Sequence, residues 1–168
     1  MTTAAPATTS DAPVRTTLQK DKGLANTIAA ESKLSFIDGE KGVLEYVGID
    51  IDTLARQSTF EETVWLLWNG RLPKKAELDA FVKEIRAEYE VPAEILAMLK
   101  NFSPDAGPMH ALRTLVSALA LFDDEADDAS PEANRRKSLR LLAKTPTLIA
   151  AFDRHRKGKD IIKPDASM

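Results

Sequence analysis

Apolar residues along this chain recur mostly at three- and four-residue intervals, the period of helices that bury one face and wet the other. Leu78, Phe81, Val82, Ile85 and Tyr89 follow that spacing, with Lys74, Lys75, Glu77, Asp79, Lys83, Glu84 and Arg86 between them, which predicts an amphipathic surface helix. Upstream, Phe60, Val64, Trp65, Leu67 and Trp68 share one broad face. Ser58-Thr59-Phe60-Glu61 has the Ser-x-x-Glu form of a capping box at its start, and Gly70 suits the left-handed residue that ends a helix. Pro92 suits the first turn of a third helix, whose Ile95, Leu96 and Leu99 face inward until the pattern breaks from Asn101 to Gly107. A fourth helix starts at Pro108. Met109, Leu112, Leu115, Val116, Leu119 and Phe122 make its apolar side almost continuous, so it is expected to be the most buried element. Ser130-Pro131 then joins a good cap to a good first helical residue. The helix that follows carries Leu139, Leu141 and Leu142, is interrupted or restarted at Thr145-Pro146, and continues through Leu148, Ile149 and Phe152 towards Gly158.

One stretch breaks the helical period. Leu34-Ser35-Phe36-Ile37 and Val43-Leu44-Glu45-Tyr46 are short β-prone runs around Asp38-Gly39-Glu40-Lys41-Gly42, a hairpin signal. A lone hairpin is marginal in water, so it should lean on the helical body. The expected class is all-α with a short N-terminal β-hairpin. Residues 1–22, rich in threonine and alanine, read as a disordered N-terminal tail without the apolar segment of a secretory signal; 23–163 form the helical part, and 164–168 a truncated connection. There is no internal repeat and no sustained heptad.

Composition narrows the chemistry. The chain has 168 residues, 43% hydrophobic and 29% charged, enough for one core that needs neither disulfide nor structural metal. It has no cysteine, which removes thiolate–metal sites and cysteine nucleophiles and fits a reducing, cytoplasmic setting. A net charge of −3 argues against a nucleic-acid partner. The longest strongly apolar run, Leu115 to Phe122, is far shorter than the roughly 20 residues that cross a bilayer, so no membrane span is expected.

General acid–base chemistry must therefore draw on His110, His155, carboxylates and hydroxyls. His110 follows Met109 near the start of the fourth helix, and its least demanding reading is packing at a helix–helix or subunit contact. His155 lies in Arg154-His155-Arg156-Lys157, which reads as a solvated helix end complementing the helix dipole. Arg113 is a charge on the most apolar helix and is expected to pair with an acidic neighbour. The crowded Asp123, Asp124, Glu125, Asp127 and Asp128 lack the glycine and spaced glutamate of a calcium loop and read as a solvated loop. Trp65 and Trp68 read as core or interface anchors. Gly39, Gly42 and Gly48 are too scattered for a phosphate cradle.

Three ordered blocks resemble a known family. They are Ser35-Phe36-Ile37-Asp38-Gly39-Glu40-Lys41-Gly42-Val43-Leu44-Glu45-Tyr46-Val47-Gly48-Ile49-Asp50-Ile51 with Leu54-Ala55, then Ser58-Thr59-Phe60-Glu61-Glu62 with Leu66-Leu67-Trp68-Asn69-Gly70-Arg71-Leu72-Pro73, then Pro108-Met109-His110-Ala111-Leu112-Arg113-Thr114. Together they are similar to the N-terminal portion of bacterial citrate synthases, over about Gly23 to Lys163. The resemblance implies an almost wholly helical enzyme that works as a homodimer or an assembly of dimers. It joins acetyl-CoA to oxaloacetate, giving citrate and CoA in the tricarboxylic acid cycle; close relatives use propionyl-CoA to make 2-methylcitrate. It also implies a mechanism in which an Asp takes a proton from the acetyl methyl, one His stabilises the enol and a second His protonates the oxaloacetate carbonyl.

In the family those groups belong to a Gly-Pro-Leu-His-Gly-Gly run, a Gly-His-Arg run and a later Asp, none of which occurs in these 168 residues. No catalytic, cofactor-binding or metal-ligating role therefore carries over to any residue, and His110 and His155 match no catalytic histidine. The resemblance implies a structural fragment that binds no cofactor of its own, acetyl-CoA being the family's substrate. Its implied partners are a second copy or a complementary C-terminal chain. Other expectations are a 2-methylcitrate synthase fragment, or a truncated member acting as a helical interaction or scaffold module. The family commonly has Arg and Tyr where this chain has Val47 and Ile49, and His where it has Gly107.

Overall fold

The computed structural model describes residues 31–165, so the tail expected over 1–22 and the last residues of the expected connection lie outside the described part. The chain divides between Lys33 and Leu34, and every element below belongs to the second unit. Three short strands, β1 (Ser35–Asp38), β2 (Val43–Tyr46) and β3 (Ile49–Asp50), pair antiparallel in sequence order. Six helices follow among the described residues: α1 (Ile51–Gln57), α2 (Phe60–Asn69), α3 (Lys75–Ala87), α4 (Ala93–Met98), α5 (Pro108–Leu119) and α6 (Pro131–Arg156). Single 3-10 turns extend α4 over Leu99–Asn101 and α5 over Ala120–Phe122.

The expected hairpin is the first two strands, in the register Ser35↔Tyr46 to Asp38↔Val43. Asp38 Oδ1 accepts the amides of Glu40 and Lys41 at 3.2 and 3.0 Å, holding the loop between them. The sheet does not stop there. Val47 and Gly48 make a two-residue connection to β3 with φ of 52° and 75°, the signature of a type I′ turn. Gly48 takes that backbone freely, whereas a β-branched valine does so under strain. The sheet packs against α1, while Phe36 and Ile37 remain 57% and 70% exposed.

Helix α1 has no counterpart in the sequence pattern because it is two turns long and buries only Leu54. Asp50 caps it by accepting the Thr53 amide at 3.1 Å. Its presence also moves the capping box of α2. Ser58 is the residue that closes α1, its amide donating to Leu54 O at 2.9 Å. The box therefore belongs to Thr59 and Glu62: Thr59 Oγ1 accepts the Glu62 amide at 3.2 Å and Glu62 Oε2 accepts the Thr59 amide at 2.8 Å. Gly70, at φ 69°, ends α2 as expected. Phe60, expected on the buried face, is 61% exposed, and Leu66 takes the interior place at 1%.

The core has two parts. Val64, Phe81, Ile85 and Ala143 join α2, α3 and α6, with Trp65 and Trp68 packed edge-on against Phe81 at centroid distances of 5.4 and 5.7 Å. Ile95, Leu99, Leu115, Leu148 and Phe152 centre a second cluster shared by α4, α5 and α6. Among the described elements only α6 reaches both. Its 26 residues span about 39 Å, and Ser130 caps it by accepting the Ala133 amide at 3.3 Å.

The interruption expected at Thr145-Pro146 is absent: α6 runs unbroken through Pro146. A proline inside a helix removes one hydrogen bond and costs about 3 kcal/mol. Here Ala143, 2% exposed, is held by one cluster and Leu148, fully buried, by the other, so packing on both sides fixes the helix across the defect.

Helix α5 is not buried all round. Ala111, Leu115, Ala118 and Leu119 are buried, but Met109 is 71% exposed, Phe122 is 48% exposed, and His110, Arg113 and Ser117 lie on the open side. The helix is amphipathic, covered by α4 and α6 on one face only.

Candidate functional site

The residues with acid–base capacity are spread over the molecule. His110, third residue of α5, is exposed. Its ring folds back over Gly107, where a Cβ would meet His110 Cδ2 at 3.0 Å. This replaces the expected helix–helix contact with a local one that the missing side chain at 107 makes possible. His155 is half-buried, and its Nε2 lies 3.1 Å from the carbonyl oxygen of Phe102, so it bonds to the loop before α5 instead of standing solvated at the helix end. Arg113 is exposed and makes no ion pair among the described residues, since no other element covers the face it occupies. No imidazole is hydrogen-bonded to a carboxylate among the described residues, which leaves no acid–base dyad there.

The acidic loop between α5 and α6 is a loop, as expected, but it is not merely solvated. Asp123 receives Arg140 Nε and Nη2 at 3.0 and 2.8 Å, a bidentate pair. Glu125 takes Arg140 Nη2 at 2.8 Å and Arg136 Nε at 2.9 and 3.1 Å, and also accepts Arg136 Nη2. Lys137 Nζ donates to the carbonyls of Ala126 and Asp128. The Arg136 guanidinium, and after it that of Arg140, holds the Glu125 carboxyl down to about 2. No group of three or more His, Asp or Glu is placed to hold a metal ion among the described residues.

Sequence reasoning passed over these anchors although their spacing was visible. Arg136, Arg140 and Lys144 recur every four residues, hence on one stripe of α6, and each meets an acidic residue of another element. A similar pair stands before α3, where Arg71 binds both carboxylate oxygens of Glu77 at 2.6 and 2.9 Å and lies 5.8 Å from the centre of the Trp65 ring. Trp68 carries Arg135 at 5.0 Å in the same manner. Both indoles are thus core anchors capped by a cation.

The signature Pro108–Thr114 is where sequence and geometry meet. Ala111 is buried and Leu112 half-buried against α6, while Pro108, Met109, His110, Arg113 and Thr114 face outward. Pro108, Met109 and Leu112 form one wall of a cavity of about 300 Å³ whose other wall is Leu148, Ile149, Phe152, Asp153 and Arg156 of α6. Its lining is mostly apolar, the charged Asp153 and Arg156 being the exception, and Asp153 is already paired with Lys157 Nζ at 2.7 Å.

A family model described as "Citrate synthase, C-terminal domain" matches residues 23–168. The chain belongs to the citrate synthase family. It is 45% identical over 151 residues to the citrate synthase of Haloferax volcanii, covering 88% of this chain and 40% of the relative. It is 46% identical over 144 residues to citrate synthase 2 of Bacillus subtilis, covering 85% and 38%. The solved citrate synthase of Thermotoga maritima superimposes with a TM-score of 0.75 at 33% identity, over 88% of this chain and 38% of that one. The chain therefore spans about two fifths of the length of the relatives it matches. The largely helical body with a small leading sheet is what the sequence pattern predicted, with a third strand added, and the citrate synthase fold is what the family resemblance implied.

Proposed function

We propose that this chain is the N-terminal, structural part of a citrate synthase, which joins acetyl-CoA to oxaloacetate with uptake of water to give citrate and CoA. The observation that carries this reading is the match to citrate synthases along nearly the whole chain, which spans only about two fifths of their length. The N-terminal placement rests on the order of the three sequence blocks, since the matching family model takes its name from a C-terminal domain. On this reading the residues outside the chain supply the catalytic histidines and aspartate, and the chain alone contributes no contact to the acyl-CoA.

The test is CoA release from acetyl-CoA and oxaloacetate. The purified chain alone should give none above background, and mixing it with the complementary downstream polypeptide should restore it. Turnover by the chain alone would sink the proposal.

The exposed apolar side chains fit the same reading. Phe60, Met109, Leu121 and Ile149 are between 52% and 80% exposed, on elements that are otherwise well packed. With relatives a little more than twice as long as this chain, the cover proposed for these faces is the remainder of the enzyme.

A further inference from the structure

Five lysines and arginines are half-buried among the described residues: Arg86, Lys137, Arg140, Lys144 and Arg154. Lys137, Arg140, Lys144 and Arg154 each donate to a carboxylate or carbonyl of another segment. The Arg86 side chain alone has no hydrogen bond or ion pair among the described residues. A guanidinium with five donors, drawn partly out of water, is stabilised by an anion that meets its planar fork.

Arg86 lies on the wall of a cavity of about 490 Å³ at the end of α3, within the size range of small-molecule sites. Lys163 stands on the same cavity, Tyr89 and Thr147 add hydroxyls, and Val91 and Leu96 supply apolar surface. Val91 is 5% exposed, so that surface is fixed by the core behind it. A second cavity of about 430 Å³ shares Tyr89, Thr147, Ile162 and Pro164 with the first and therefore continues it along α6. Glu90 also lines the first cavity, four residues after Arg86, but is exposed and makes no ion pair with it.

We propose that this cavity binds a small organic anion, its phosphate or carboxylate held by Arg86 and Lys163 and its apolar body lying along Val91, Leu96 and Tyr89. The two elements of the site divide the work. The cations supply charge-assisted hydrogen bonds, and the apolar wall selects a ligand with a body over a bare inorganic ion. Glu90 opposes the ligand by like-charge repulsion at the rim.

Phenyl phosphate and inorganic phosphate serve as probes, followed by amide chemical shifts of the full chain. Phenyl phosphate should give saturable shifts at Tyr89, Val91 and Thr147, and inorganic phosphate should bind about tenfold more weakly. Arg86→Gln should weaken phenyl phosphate about tenfold or more, and Glu90→Gln should strengthen it, while Arg135→Gln, a cation remote from the cavity, leaves it unchanged. An unaltered amide spectrum of the free Arg86→Gln chain separates lost binding from lost folding. The proposal is overturned by shifts that do not saturate below about 10 mM, by binding that Arg86→Gln leaves intact, or by shifts centred on the basic end of α6.

Discussion

Lys144 Nζ, in the middle of α6, lies 2.9 Å from both the side-chain Oε2 and the carbonyl oxygen of Glu88, 56 residues earlier at the end of α3. One ammonium thus closes a helix terminus and ties it to the helix that spans both core clusters. The Lys144 side chain is only 12% exposed and that of Glu88 34%. Lys144→Met should cost about 1–3 kcal/mol because two oxygens lose a donor in a partly dehydrated place. Glu88→Gln should cost less, since the carbonyl and the amide oxygen still accept. Urea melts of the two variants check the order, and a Lys144→Met midpoint equal to that of the parent would contradict it.

The turn after β2 offers the opposite sign. Val47 sits at φ 52° followed by Gly48 at φ 75°, in a turn whose first central position favours asparagine. A β-branched residue in the left-handed region costs about 1–2 kcal/mol. Val47→Asn is therefore expected to stabilise the chain by about 1 kcal/mol, although Val47 is half-buried and loses some apolar contact. A higher melting temperature is the expected readout, and a lower one would mean that contact outweighs backbone strain.

Acid should release the α5–α6 loop at a definite point. Glu125 is held down to about 2 by the guanidinium of Arg136 and then that of Arg140, against an ordinary value of 4.5. A carboxyl depressed in the folded chain contributes stability that is complete above 4.5 and is lost as pH falls from there through about 2. Glu77 behaves alike, held to about 2 by Arg71 and by the Lys74 amide. The side-chain carboxyl carbon of Glu125 should titrate in an NMR experiment with a midpoint near 2, and Arg136→Gln should move it upward. A midpoint near 4.5 in the parent chain would show that the pair does not persist in solution.

The legible parts of the fold were those that local chemistry dictates. The periodic stripe of α3, the Ser130-Pro131 start of α6 and the loop between β1 and β2 all follow from residues close in sequence. The misread parts depend on what lies far away. Ser58 could cap α2 in isolation, but α1 claims it; Pro146 would end a lone helix, but two separate clusters grip α6 on either side. Met109 and Phe60 follow the apolar pattern yet remain exposed, because pattern reports what a helix face is suited to meet and not whether that partner lies within the chain. The ion pairs of Arg136, Arg140 and Lys144 were half visible: their spacing marks a stripe, while their partners follow only from the fold.

If packing alone keeps α6 continuous, the proline is a removable defect. Pro146→Ala restores a donor for the carbonyl four residues earlier and should stabilise by about 1–3 kcal/mol. The gain is reduced by the greater freedom of the unfolded chain. Pro146 is exposed, so no core volume changes. The thermal midpoint should rise with unchanged helical circular dichroism. A fall would mean that the helix needs a local bend at this point for α3 and α5 to be packed at once.

Met109 and Ile149 face each other's helices across the α5–α6 cavity and are 71% and 52% exposed. In the isolated chain nothing described covers them, and apolar side chains of that size promote association by about 25 cal/mol for each Å² removed from water. Light scattering should therefore give a mass that rises with concentration. The double variant Met109→Lys, Ile149→Lys puts charge on both walls without entering the core, so it should hold the mass near that of one chain while leaving the thermal melt close to the parent's. A parent chain that stays monomeric throughout would show that these faces are inert alone. Association that survives both lysines would move the sticky surface elsewhere, to the exposed Phe36 and Ile37 of β1, whose outer edge pairs with no strand among the described residues.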